Sequence, residues 1–160
     1  MKIIEYEKKY LEDVKDLLTE LGEYIVSIDE DNLSIVHEEY HDKLALLDLQ
    51  NVKENSGKCY LAIEGKEVLG LIMGVIRKYD EYDYLDYKCP KEGVITELIV
   101  KKTTRGKGIG NALMNKIEDF FRQEGCIYSL VDVFGYNKNA INFYNKNGYH
   151  HRMHSDIKKL

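Results

Sequence analysis

Apolar residues recur along this chain with two different periods, and the switches between them mark out its elements. The opening stretch, Lys2 to Tyr6, is a short mixed run that reads as a strand. Tyr10, Leu11, Val14, Leu17, Leu18 and Leu21 then fall three and four residues apart, the spacing of one helix face, with Gly22 as a natural stop. Ser34 is placed to cap a second helix carrying Val36, Tyr40, Leu44 and Leu47. Glu54 to Lys58 breaks the pattern. Cys59 to Ile76 reads as a hairpin turning at Glu64 to Lys66, and its second strand is so apolar that both faces should be buried. Asp80 to Lys91 is a polar loop holding the only proline, Pro90. Val94 to Val100 reads as the next strand. Gly108 to Glu124 reads as a helix with Ile109, Ala112, Leu113, Ile117, Phe120 and Phe121 inward. Ile127 to Phe134 is a further strand, Ala140 to Asn147 a short helix closed by Gly148, and the remainder a final strand. The order βααβββαβαβ describes a mixed α/β fold in one domain over residues 1–160.

Composition narrows the function. A chain of 160 residues, 44% hydrophobic, can bury one ordinary core. The net charge of −5 is the wrong sign for a general nucleic-acid binder. Three cysteines, far apart and odd in number, make no disulfide framework and suit a cytoplasmic protein. No apolar run reaches the roughly 18 residues that a membrane span requires, and the first residues are too charged for a secretion signal. His150, His151 and His154 invite a metal, but a strand there would put His151 on the other face and offers no fourth ligand, so no metal is expected.

The chemistry begins where the third apolar strand gives way to a helix. Arg105, Gly106, Lys107, Gly108, Ile109 and Gly110 form a basic glycine turn at a helix start. A helix N-terminus leaves about four N–H groups unpaired and carries partial positive charge. Glycines let an anion approach that backbone, and two cations add to its field, so the segment suits a phosphate. It is neither a P-loop, which needs G-x-x-x-x-G-K-S/T, nor a dinucleotide fingerprint, since Asn111 stands where the third glycine belongs.

Arg105-x-x-Gly108-x-Gly110 resembles the acetyl-CoA loop of the GNAT (Gcn5-related) N-acetyltransferases, with the expected strand before it and helix after it. Further on, Asn137, Ala140, Phe143, Tyr144, Gly148 and Tyr149 match each defined position of that family's N-x-x-A-x-x-F-Y-x-x-x-G-F/Y signature. The match runs from about Val68 to the end, and Lys102 stands where the family often has proline. The resemblance implies a mostly antiparallel central sheet flanked by helices, with a splayed strand pair that binds acetyl-CoA. It implies a pyrophosphate on Arg105 to Gly110 and pantetheine along the backbone of Leu98, Ile99 and Val100. Asn137 and Ala140 would contact the cofactor, and Tyr144 would stand beside its sulfur as proton donor to the leaving thiolate. The resemblance also allows for a homodimer.

Acetyl transfer needs a neutral amine, and a lysine-like amine at pH 7 lies about 3.4 units from that state, roughly 4.6 kcal/mol. A base, acting directly or through water, is therefore required. Glu97, a lone carboxylate in an apolar strand, is the candidate, and simple alternation puts it on one face with Ile95 and Ile99. Tyr79, Asp80, Tyr82, Asp83 and Tyr84 lie in a loop alternating aromatics with acids, suited to a cationic acceptor. The expectation is direct acetyl transfer to a primary amine of a small or peptidic acceptor. The rival is a non-catalytic acyl-CoA-binding or regulatory domain sharing the same phosphate loop.

Overall fold

A computed structural model describes residues 1–160. Five strands form one sheet in the order β1-β2-β3-β4-β5: Lys2–Glu5, Lys58–Glu64, Glu67–Ile76, Glu92–Val100 and Tyr128–Val131. The first three junctions are antiparallel and β4–β5 is parallel. The helices are α1 (Leu11–Ile28), α2 (Tyr40–Glu54), a single turn α3 (Asp83–Asp86), α4 (Ile109–Gln123) and α5 (Lys138–Lys146).

The sheet separates two apolar layers. On one face α1 and α2 bring Val14, Leu17, Leu18, Ala45 and Val52 against Leu61, Leu71, Met73 and Ile99. On the other α4 brings Ile109, Leu113, Met114, Ile117, Phe120 and Phe121 against Tyr60, Ile72 and Ile95, with Tyr144 of α5 at the margin. β3 lies between both layers, and Val68 to Val75 are all buried, as its unbroken apolar run requires.

Several sequence expectations fail, each for a tertiary reason. Gly22 does not end the first helix, which continues to Ile28. A Cβ there would lie 2.6 Å from the Tyr40 hydroxyl, so Gly22 is where α1 and α2 touch, and close packing outweighs its helix cost of about 1 kcal/mol. Ser34 does not cap α2, which starts at Tyr40; instead Asp29 accepts the backbone N–H groups of Asp31, Leu33 and Ser34 and holds the connecting loop. The strand expected from Ile127 shrinks to Tyr128–Val131. No final strand forms, and the segment around His150 to His154 is irregular. Arg152 in that segment donates to the Tyr87 hydroxyl at 3.0 Å, and its guanidinium lies 4.9 Å from the Tyr87 ring centre.

Candidate active site

β4 carries the site because its ladder is broken twice. Met73 pairs with Glu97 while Gly74 pairs with Ile95, leaving Thr96 as the extra residue of a bulge. The expected alternation therefore fails: Ile95 packs with the α4 layer, whereas Ile99 packs with the α1–α2 layer. The partnership with β5 ends at Ile95↔Val131, so Thr96 to Val100 keep β3 on one side and lose any strand on the other. Five residues at about 3.3 Å each leave about 16 Å of open strand edge. Leu98 and Val100 line its α4 side, while Ile99 is a core side chain that offers only backbone.

The open edge leads into the glycine turn. Gly106 and Gly108 both hold φ +80°, and each Cβ position opens on free space, so backbone conformation is what selects glycine here. The first helical hydrogen bond of α4 runs from Ala112 N–H to the Gly108 carbonyl at 3.1 Å. The N–H groups from Gly106 to Asn111 meet no acceptor in the protein. Six consecutive free donors at a helix start fit a pyrophosphate by the chemistry of the donor set. Arg105 is oriented beside them: Nε donates to the Val100 carbonyl at 3.0 Å, Nη2 lies 3.7 Å from Glu20, and the guanidinium lies 5.6 Å from the Tyr24 ring centre. Lys107 is exposed and makes no ion pair within the protein. Ile109 is buried in the α4 layer.

α5 forms the opposite wall. Asn137 caps it, its Oδ1 accepting from Ala140 N–H at 3.0 Å and from the Tyr24 hydroxyl at 3.4 Å. Ala140 rests against the α4 layer. Two turns after the cap, Tyr144 is 8% exposed with its ring edge-on to Phe143 and Tyr149. Burial, with Tyr149 and Glu97 nearby, pushes its phenol well above the ordinary range, so it stands as a neutral donor. Its packing and its hydroxyl are separable, since no protein group accepts a hydrogen bond from it.

Glu97 rises into the α1–α2 layer, and its carboxyl is pushed up from 4.5 to about 8, first by burial and then by Asp48. It forms no ion pair. Tyr40 and Asp48 of α2 face it, and Asp48 is itself raised to about 6 by burial. Sequence reading did not single out Asp48. The signal was present in the spacing, since Ala45, Asp48 and Val52 share one helix face whose other two members are core. Tyr24 and Glu20 were also passed over, because only the fold brings α1 beside the glycine turn.

The aromatic–acidic loop folds on itself. Tyr79 and Tyr87 hold the Arg77 guanidinium at 4.7 and 5.6 Å, and Arg77 pairs with Asp83 at 3.1 Å and with buried Glu92 at 3.2 Å. Asp80 accepts the N–H groups of Tyr82 and Asp83. Tyr82 and Tyr84 remain 81% and 66% exposed.

The acetyltransferase (GNAT) family model matches residues 18–149. The fold is shared with a mutant of the BH1408 protein from Bacillus halodurans at TM-score 0.88, with 19% identity over 100% of this chain and 99% of that one. A proposed acetyl transferase from Pyrococcus furiosus aligns at TM-score 0.76 with 26% identity over 99% of both chains. The aminoglycoside N-acetyltransferase AAC(6')-Iy, solved in complex with CoA, aligns at TM-score 0.70 with 14% identity over 99% of this chain and 98% of that one. No curated protein matches the sequence.

Proposed function

Because the chain belongs to the acetyltransferase (GNAT) family, we propose that it moves the acetyl group of acetyl-CoA directly onto a primary amine. The observation that supports this reading is that half-buried Glu97 on β4 and the unpartnered hydroxyl of Tyr144 on α5 lie close enough to interact where the β4–β5 ladder opens, and they would serve as base and acid.

The glycine turn would hold the pyrophosphate through its free N–H groups and Arg105, and the open edge of β4 would carry the pantetheine. Acetyl-CoA supplies an activated thioester. Glu97 takes one proton from the ammonium, freeing its lone pair to attack the thioester carbonyl. A backbone N–H of Leu98 or Ile99 would meet the oxyanion, a contact typically worth about 3–4 kcal/mol. As the C–S bond breaks, Tyr144 gives its proton to sulfur and recovers the second amine proton. One proton is left on Glu97 for release to solvent, so the step balances. Cys59 takes no part, since burial pushes its thiol up to about 12 and leaves no thiolate for a covalent route.

The acceptor would be a cation, either a small molecule or a peptidic amine. Unpaired Glu97 on the open strand with unpaired Asp48 near it on α2, and the exposed rings of Tyr82 and Tyr84 with exposed Glu81 and Asp86 on the loop before β4, support a positively charged partner. A panel of polyamines, aminoglycosides and lysine peptides, with free CoA as readout, tests the reading. CoA release with at least one amine, lost in Glu97→Gln, is expected; acetyl-CoA binding without release from any amine would make the protein a binding domain instead.

A further inference from the structure

Asp48 is the most unusual charged group that catalysis, as described above, leaves unused. It sits on the inward face of α2 between Ala45 and Val52, which are 1% and 8% exposed. Its Oδ2 is buried and accepts no hydrogen bond. Glu97 reaches the same layer from the sheet, since its ladder partner Met73 and its neighbour Ile99 both belong to the α1–α2 core. Two carboxylates thus face one layer from opposite sides, and neither has an ion-pair partner.

The surroundings supply no cation. Facing Glu97 are Asp48 and Tyr40 from α2 and Tyr144 from α5. Facing Asp48 is Cys59 from β2, besides Tyr40 and Glu97. α1 and α4 add no titratable group to the pair. Two like charges in a poorly solvated layer ionise in succession, and the second waits until the first is neutralised or the pH is high.

We propose that Asp48 is a positioning residue for the reaction: its charge, facing Glu97 across the α2–sheet layer with no cation between them, governs when Glu97 can take a proton. The proposal rests on the reading of Glu97 as the base. An ammonium entering beside the pair is the cation that lets both carboxylates ionise, so the amine arrives charged and finds its base made ready by its own approach. A neutral acceptor of the same shape has no such effect.

The test reads Glu97 itself. Carbon-13 NMR of protein labelled at the glutamate side-chain carboxyl, assigned by its loss in Glu97→Gln, follows the titration with no acceptor present. In Asp48→Asn and Asp48→Leu the Glu97 midpoint should fall by at least about half a pH unit, because a neighbouring charge is gone. Asp48→Glu, which keeps the charge, should hold the wild-type midpoint. The acidic limb of kcat/KM, measured with whichever amine releases CoA, should move by the same amount. An unmoved midpoint in folded Asp48→Asn and Asp48→Leu would overturn the proposal. So would a shift in Asp48→Glu as large as theirs, which would mark a packing effect. If the midpoint moves but Glu97→Gln keeps the wild-type pH–rate profile, the base assignment fails while the electrostatic link between the two carboxylates stands.

Discussion

Replacing Glu97 by glutamine should stabilise this protein, and increasingly so as pH rises. The carboxyl titrates near 8 in the folded chain against an ordinary 4.5. The folded value lies above the unfolded one, so the native state holds its proton to higher pH. That contribution is complete below pH 4.5 and is lost as pH rises through 8. At about 1.36 kcal/mol per unit, the cost of ionisation reaches about 1.4 kcal/mol at pH 5.5 and about 4.6 kcal/mol at pH 8.5. Wild type should thus lose about 3 kcal/mol between these two values that the non-titrating glutamine does not lose. Glu97 is half-buried rather than sealed, and solvent screens part of the effect, so about 1.5 kcal/mol is the smallest differential that the reasoning allows. Urea unfolding of both proteins at pH 5.5 and 8.5, with equal slopes, measures it directly. Parallel stability curves would show that Glu97 is solvated like any surface carboxylate, and the argument for a raised, buried base would fall with it.

Gly108→Val places a β-branched residue at φ +80°, costing a few kcal/mol locally and crowding the free N–H groups; acetyl-CoA affinity by calorimetry should fall at least tenfold in a still-folded protein. Tyr144→Phe removes only a hydroxyl that has no partner in the protein, so stability should change by less than about 1 kcal/mol while the single-turnover rate drops by about 10²-fold or more. Glu20→Gln releases Arg105 from its competing carboxylate at 3.7 Å, and acetyl-CoA should bind more tightly, by a few-fold at low salt.

What could be read from the sequence was what local chemistry decides. The glycine turn, the apolar β3, and the Asn137–Tyr144 spacing each act within one element, and each stands in the structure where the pattern put it. The errors came from residues whose role is set by a distant partner. Gly22 looked like a stop because nothing in the sequence shows that Tyr40 packs against it. Strict alternation along β4 missed the Thr96 bulge, because a register slip depends on the partner strand, and that slip decides the layer Glu97 enters. Asp83 looked like a free charge for a substrate, whereas Arg77, which precedes the loop, occupies it.

In the proposed reaction, the cost of burying Glu97 and the help it would give are the same quantity seen from two sides. An ordinary glutamate lies about 5.9 units below an amine near 10.4, so taking the amine's proton would be uphill by about 8 kcal/mol. At about 8, the gap narrows to about 2.4 units, or about 3.3 kcal/mol. The difference, about 4.7 kcal/mol, is the stability that the fold forgoes when Glu97 ionises at high pH. The limit on raising the base further is occupancy: at pH 7 a group near 8 is ionised in only about one molecule in eleven. Asp48 and an incoming ammonium act on that occupancy in opposite directions. Burial, and after it Asp48, keeps the proton on Glu97; in the proposed reaction an ammonium beside both carboxylates would remove it. On that proposal, a layer that offers the pair no protein cation leaves the arriving amine to switch its own base on, which would account for the absence of any lysine, arginine or histidine facing either carboxylate.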